Sequence, residues 1–392
     1  MKILHISPWY APAWAAAGTA VSVTNFCEGL ANINYNVTVF TTLDSGEKIP
    51  LCKNSYFKKR NHVKVYYFKC GILGSSFRGA ALSIEMAFAI FRNIRKFDLI
   101  HLHSTRNLYG IITFIACKLY KKSYVLTPHA SIMKDWIEKM GHYNLKKFYI
   151  FLLDKFVLSN ASKIHFLSEY EAFESKKYVF NKNYFVVNNG IQISKQNDYP
   201  KKELSPCLKI IVVGRVTPQK NIHLIIEALS LIKEKKISLD IIGPFKDYKY
   251  YEFCKEIIHQ NNLTNIKFLG SLNNNQVLNL YQKYDLLCMP SIVEGYSVVI
   301  LEAASKGVPS IITKGHSNFE EIISSNSGIL VETNKYDISE KIIKFYSDKK
   351  LQKKMSENAY QYALNNYSIV LKAHQLSNEY KAILNKKMIG NY

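Results

Sequence analysis

The stretch LKIIVVGRVTPQKNIHLIIEALSLIKEKKISLDIIG, residues 208–243, decides how the chain is read. It opens on an almost unbroken apolar run that stops at Gly214. A turn-forming segment containing Pro218 follows. Apolar residues then recur at helical spacing through 221–236, and a second apolar run, 239–243, again stops on glycine. Strands that are apolar throughout, rather than alternating, are buried on both faces. A strand–helix–strand order makes such strands parallel neighbours.

The pattern extends outward. IKFLG (266–270), YDLLCMP (284–290) and VPSIIT (308–313) read as further buried strands, each followed by helix. The first half carries the same alternation. Strands are expected at Lys2–Ile6, Val37–Thr41, Val63–Phe68, Leu99–His103, Tyr124–Thr127, Lys163–Leu167 and Tyr184–Val187. Helices are expected at 19–33, 79–97, 143–160 and 168–178. The fold class is therefore α/β, with two doubly wound parallel-sheet units. The polar, turn-rich stretch NNGIQISKQNDYPKKELSPC near 190–206 reads as the linker. The expected division is 1–195, 205–365, and a last segment, 366–392, whose helix returns to the first unit. Ligands of open parallel sheets bind beyond the carboxyl ends of the strands, so two facing units imply a cleft lined by strand-end loops.

Bulk properties agree with a two-domain enzyme. The 392 residues exceed one ordinary core, and 48% hydrophobic with 21% charged residues excludes disorder. Net charge is +22 and uneven: residues 1–195 hold 26 Lys and Arg against 11 Asp and Glu. Such a half attracts anions, either phosphorylated small molecules, an anionic bilayer or nucleic acid, although composition bias alone also accounts for it. The seven cysteines are scattered without a CxxC pair, which favours reduced thiols over a disulfide or zinc framework. The apolar run before Pro8 is short for a signal peptide, and the windows near 79–91 and 108–117 are short for a membrane span. A cytoplasmic protein, at most peripheral on the membrane, is expected.

Two segments carry the chemistry. In GRVTPQKN (214–221), Arg215 and Lys220 follow a strand end. Arg215 supplies a fork of donors and Lys220 a mobile point charge, a set suited to a diphosphate, although two solvated loop cations would look the same. A Walker lysine motif and a GxGxxG are both absent. In PSIVEGYSVVILEAASKGVP (290–309), Glu294 precedes a helix expected to begin at Tyr296–Ser297, and Glu302 lies about two turns in. Free amides at that helix start favour phosphate, and carboxylates accept hydrogen bonds from sugar hydroxyls. A capping Glu294 and a salt-bridged Glu302 are the plainer alternative.

Together these segments resemble the retaining glycosyltransferases of the GT-B fold, specifically family 4. Glu294 and Glu302 match that family's Glu-x7-Glu signature. Gly295-Tyr296-Ser297 stands where Gly-Phe-Gly or Gly-Phe-Ser is usual. VVNNGIQI (186–193), IKFLGSLNNNQVLNLYQKYDLLCMPS (266–291) and SGIL (327–330) extend the resemblance through most of the C-terminal unit. The N-terminal unit matches more loosely.

The resemblance implies two facing Rossmann-like domains and roles for individual residues. Arg215 and Lys220, after Gly214, would neutralise the donor diphosphate. Glu302 would bind ribose hydroxyls. Glu294 would face the donor sugar, with the amides of Gly295, Tyr296, Ser297 and Val298 near sugar and phosphate. His129, in TPHASIMKDW (127–136), would contact the sugar near its reacting carbon, Pro-His-Ala standing for the more usual Pro-His-Gly. Gly18, alone where the family often has two glycines, would let the backbone approach the diphosphate. His103, which also ends a strand, reads equally as a structural histidine.

Asp-x-Asp is absent, so no metal and no cofactor are expected beyond a UDP- or GDP-linked sugar. The family further implies a glycan acceptor, often lipid-linked, in bacterial surface polysaccharide synthesis such as O-antigen, capsule or exopolysaccharide. Basic and aromatic stretches such as NLKKFYIFLLDKFVL suit an anionic bilayer, or an ordinary solvated helix face. The competing readings are a GT-B sugar-nucleotide epimerase, against which the paired glutamates argue, and a non-catalytic basic membrane or nucleic-acid binder. No nucleic-acid module is recognisable.

Overall fold

The computed structural model describes residues 1–14, 18–44, 52–70, 83–193 and 206–389, with no side chains described at 388 and 389. Most of the expected linker, 194–205, and positions 79–82 of an expected helix lie outside the described residues. The chain divides into two compact units. One is Met1–Gln192 with Ile369–Tyr392, and the other is Ile193–Ser368.

The first unit is built on an eight-stranded sheet. Its strands are β1 (Lys2–Ile6), β2 (Asn36–Thr42), β3 (Tyr56–Arg60), β4 (Val63–Phe68), β5 (Leu99–His103), β6 (Ser123–Thr127), β7 (Lys163–Phe166) and β8 (Tyr184–Val186), in the order β3-β4-β2-β1-β5-β6-β7-β8. All neighbours are parallel except β3 and β4. The seven expected strands fall on β1, β2 and β4–β8. β3 escaped the sequence reading because YFKKR is an edge strand with three exposed residues in succession. Its lysines leave the edge unattractive to a further strand.

The helical expectations need two corrections in this unit. The segment 143–160 is not one α-helix. It runs Tyr143–Tyr149, loosens to a π-helix at Ile150–Asp154, and resumes at Lys155–Asn160. The widened turn brings buried Asp154 to the Arg106 amide, which donates to both of its carboxylate oxygens at 3.1 and 3.0 Å. Nothing in the local pattern announces that partner 48 residues away. The segment 79–97 is helical only from Ile84 to Asn93, capped by Ser83, and ends in a 3-10 turn at Ile94–Lys96.

The last helix, Ile369–Ile389, packs on the helix Gly18–Asn32 of the same unit. Glycine permits that approach: a Cβ at Gly29 would stand 2.9 Å from Ile369 Cγ1. Lys163 ties the helix to β7 through Glu379 at 2.6 Å.

The second unit holds a six-stranded parallel sheet. β9 (Leu208–Val213), β10 (Ile237–Ile242), β11 (Ile266–Gly270), β12 (Leu286–Met289), β13 (Ser310–Ile312) and β14 (Gly328–Leu330) lie in the order β11-β10-β9-β12-β13-β14. Ile210, Ile211, Ile241, Leu286 and Ile311 are fully buried in one core. Each such side chain stabilises the fold by about 1.5–3 kcal/mol relative to exposure. The helix expected at 221–236 is shorter, Ile222–Ser230. The charged end of its pattern, from Lys233, lies exposed beyond the apolar face that would have held it. All seven cysteines are free, and no described helix is long and apolar enough to cross a membrane.

Candidate active site

In the second unit, the loops leaving β9 and β12 are joined by hydrogen bonds. Gly214 ends β9 at φ +151° and Gly243 ends β10 at φ +148°, both values that side chains rarely adopt. They pack back to back: a Cβ on Gly243 would fall 1.9 Å from the Gly214 carbonyl oxygen. Gly214 also leaves a track for Lys220, whose Cε would lie 3.0 Å from a Cβ there. Pro218–Lys220 form a 3-10 turn, and Asn221 follows at φ +50°. The turn is sewn to the β12 loop by three bonds. The Ile292 amide donates to Gln219 O (2.9 Å), Gln219 Nε2 donates to Val293 O (2.6 Å), and Asn221 Nδ2 donates to Pro290 O (3.0 Å).

This stitching brings two of the sequence candidates into contact. Lys220 Nζ lies 2.7 Å from Glu294 Oε1, with both side chains largely buried. Gln219 Nε2 reaches the same oxygen at 3.3 Å. Burial pushes the Glu294 carboxyl up, but Lys220 above all, with Arg215, outweighs it and holds the group below its ordinary value. Arg215 is half-buried and has no hydrogen bond or ion pair among the described residues. Here is a carboxylate charged at neutral pH, one cation bound to it and a second acting on it from nearby.

His316 is the site residue that sequence reasoning missed. Beyond the ends of β12 and β13 the two loops make one further parallel step, pairing Glu294 with His316. The Glu294 amide donates to Gly315 O at 2.7 Å, and His316 Nε2 bonds Met289 O at 2.8 Å. Burial drops the imidazole to about 4, against the pull of Glu294, so the ring is neutral. The only sequence signal was a glycine before a histidine after a strand, which is too common to single out.

The helix after Glu294 is Val298–Ala304, shorter than expected, and Ser297 caps it without a side-chain hydrogen bond. Glu302 is therefore its fifth residue, about one turn in rather than two. The Tyr296 hydroxyl is turned into the unit's own packing, bonded to Glu321 at 2.5 Å. Only its backbone remains as a ligand group.

Burial raises the Glu302 carboxyl to about 7, and the Tyr281 hydroxyl beside it offsets this only in part. Between about pH 4.5 and 7 the folded chain holds a proton there that the unfolded chain has released. That contribution to stability is lost as pH rises through this window. Asp154 and Glu171, also raised to about 7 by burial, act in the same direction. The buried histidines act in the opposite direction, so the Glu302 contribution is read as a difference: the stability of the ligand-free protein relative to Glu302→Gln, by denaturation, is expected to fall between about pH 5 and about pH 8. A difference that stays constant with pH would remove Glu302 from the account.

In the first unit, histidines gather at the carboxyl ends of the strands. β1 pairs His5 with His101 of β5, and β5 pairs His103 with Thr127 of β6. His129 follows β6 in a left-handed turn, His129 at φ +54° and Ala130 at φ +62°. Ala130 therefore occupies a conformation that glycine adopts without strain. Buried Glu171 holds the turn: its Oε1 accepts the Ala130 amide at 2.6 Å and its Oε2 the Leu167 amide at 2.8 Å. His129 lies 3.1 Å from His103 through Nε2 and Nδ1. Gly18 opens the first helix, and a Cβ there would meet nothing within 4 Å, so packing does not demand glycine. Ala15–Ala17 lie outside the described residues.

Two family models divide most of the chain between them. The glycosyl transferases group 1 model matches residues 195–362, and the glycosyltransferase family 4 model matches 16–195. The chain belongs to family 4 of the GT-B glycosyltransferases. An uncharacterized glycosyltransferase of Methanocaldococcus jannaschii is 26% identical over 370 residues, 93% of each chain. The Escherichia coli UDP-Gal:α-D-GlcNAc-diphosphoundecaprenol α-1,3-galactosyltransferase is 26% identical over 305 residues, 73% of this chain and 75% of that one. Among solved structures, the Anabaena protein HepE in complex with UDP and glucose superposes with a TM-score of 0.75 at 17% identity, over 97% of this chain and 99% of that one. That likeness shows the GT-B fold.

Proposed function

We propose that this family 4 enzyme transfers a hexose-type sugar, with retention, from a UDP- or GDP-linked donor to a lipid-linked glycan acceptor of bacterial surface polysaccharide synthesis. The Lys220–Glu294 pair with Arg215 beside it carries the reading. An arriving donor offers each partner a replacement. Its diphosphate takes Lys220 and Arg215, while its sugar hydroxyls donate to Glu294. Glu302 takes the ribose hydroxyls, and the amides from Gly295 to Val298 lie toward sugar and phosphate. In the first unit, His129 and Gly18 are the residues proposed to contact a donor.

In the transfer step the bond from the anomeric carbon to the diphosphate oxygen breaks. The acceptor oxygen bonds that carbon on the same face, and the acceptor proton passes to the departing diphosphate. Negative charge grows on the leaving group, and fixed cations stabilise it without a metal ion. No protein nucleophile is required. Thermal-shift screening of nucleotide sugars, then mass spectrometry and anomeric NMR of products made with a polyprenyl-diphosphate-linked acceptor in EDTA, tests each part. Products of inverted configuration would refute retention, and loss of turnover in EDTA would refute metal independence. Arg215→Ala is expected to lower kcat/KM by the equivalent of about 2–4 kcal/mol. An unchanged value would take the diphosphate away from Arg215.

A lipid-linked acceptor suits one face of the first unit. Along 143–160, Leu145, Phe148, Phe151, Leu152 and Phe156 are exposed, Leu145 by 67% and Phe148 by 64%. Exposed Lys147 and Lys155 lie among them. A basic, aromatic helical stripe of this kind rests on an anionic bilayer surface. Phe148→Ser with Leu152→Ser is expected to weaken cosedimentation with phosphatidylglycerol vesicles at least about tenfold, since each lost side chain contributes about 1.5–3 kcal/mol when buried. Equal binding would dissociate this face from the membrane.

A further inference from the structure

Three histidines of the first unit form a line of ring-to-ring hydrogen bonds. His129 Nε2 meets His103 Nδ1 at 3.1 Å, and His103 Nε2 meets His5 Nδ1 at 2.9 Å. The rings of His5 and His103 stack with an interplanar angle of 12°. The line ends at His5 Nε2, which is buried and has no hydrogen-bond partner among the described residues. His5, His101 and His103 have ligand atoms within 4.8 Å of one another, near enough to share a metal ion. Five of their six ring nitrogens are already hydrogen-bonded, however: His101 spends both on Tyr380 and Thr127. The arrangement is that of a hydrogen-bonded chain.

Burial holds all three rings far below their ordinary titration, with His5 and His129 at about 3, so each is neutral and carries one N–H. The charges that act on them come from other histidines, with no carboxylate among them in the described residues. A chain of neutral rings has only two consistent patterns. If His129 donates toward His103, the N–H groups all point inward, and the chain ends in an N–H on His5 Nε2 with nothing to receive it. If His5 donates toward His103, every N–H points outward, and His5 Nε2 is a bare acceptor. A buried orphan donor is rarer than an orphan acceptor. The outward pattern is therefore the stable one.

We propose that His103 and His5 are positioning residues which fix His129 as a neutral ring with its proton on Nδ1. The tautomer of a histidine is set by the bond its other nitrogen makes. Here that bond is donated by His103, itself oriented by His5, while Glu171 fixes the backbone turn. His129 then presents an N–H to its ligand, a hydrogen-bond donor fit for a hydroxyl or phosphate oxygen of the sugar diphosphate. It is not a base. The choice of ligand rests on the reading of His129 under Proposed function, whereas the tautomer does not.

The test is the imidazole nitrogen spectrum of the full chain labelled with 15N-histidine, at neutral pH without ligand, alongside donor turnover. A protonated Nδ1 and bare Nε2 on His129 is expected. His103→Phe removes the donor, should let the proton move to Nε2, and should cut kcat at least about tenfold, the loss of one hydrogen bond. His103→Asn places an amide N–H near the lost Nδ1 and should restore both the tautomer and most of the rate. A His129 proton on Nε2 in the unmodified chain would overturn the proposal, even if His103→Phe fails to fold. So would failure of His103→Asn to restore the tautomer in a folded protein. If His129→Ala turns over donor normally while the Nδ1 proton is seen, the tautomer assignment stands and the role of His129 toward the donor falls.

Discussion

Lys220→Ala is expected to damage both turnover and stability. The ammonium sits 2.7 Å from Glu294, and both side chains are largely removed from water. Removing it leaves a buried carboxylate with Gln219 as its remaining hydrogen-bond partner. Breaking a buried pair from one side costs about 3–5 kcal/mol, since the survivor keeps its desolvation penalty. In the reading proposed above, the donor diphosphate also loses a fixed cation, worth about 10²–10³ in rate. The two effects separate in a double variant. Lys220→Ala with Glu294→Ala should recover most of the stability, by urea denaturation, and none of the activity. If stability is not recovered, the cost lies in packing along Gly214 rather than in the orphaned charge. If the single variant is fully active, the diphosphate is held elsewhere.

Gly243→Ala carries the second large effect, and it acts through backbone alone. At φ +148° a side chain is strained before any contact is counted. The added Cβ would stand 1.9 Å from the Gly214 carbonyl oxygen and 2.6 Å from its carbon. Those atoms belong to a bonded backbone path, since Gly214 N donates to Ile242 O and Val216 N donates to Pro244 O. They cannot yield without dragging Arg215 and the turn that carries Lys220. A loss of about 3 kcal/mol or more is expected, beyond the usual range of single substitutions. Thermal denaturation measures it, and a nucleoside diphosphate titration should show weakened binding in whatever fraction remains folded. A variant within about 0.5 kcal/mol of the parent would mean that the two strand-end loops are not held against each other.

These cases mark how far the sequence could be read. β9 and β10 were legible because short, mostly apolar runs that end on glycine have few alternatives. Arg215, Lys220 and Glu294 were legible through the resemblance of two short segments. That Lys220 would bond Glu294 directly was not, because it depends on hydrogen bonds between loops about 75 residues apart in sequence. The roles of Gly243 and His316 were hidden for the same reason: each is defined by a backbone neighbour on another loop. β3 was missed because a solvated edge strand has no burial pattern to betray it. The π-helix at Ile150–Asp154 breaks a helical pattern without a glycine or proline to mark the place. His5 and His103 sat inside correctly read strands, and only the parallel pairing of β1 with β5 turns them from core residues into a line that continues to His129.

The last helix has a consequence for how the protein comes to exist. Residues 369–389 complete the first unit, with Leu376 and Tyr380 fully buried there and Tyr380 bonded to His101. On a ribosome, everything from Met1 to Gln192 emerges long before that helix does. The nascent first unit must therefore wait through the whole synthesis of residues 193–368 with one flank of its opening helix uncovered and one nitrogen of His101 unanswered. Domains ordinarily settle one after another as they leave the tunnel. This one is finished only by the helix Ile369–Ile389, so a product stalled before that helix never gives His101 its Tyr380 partner.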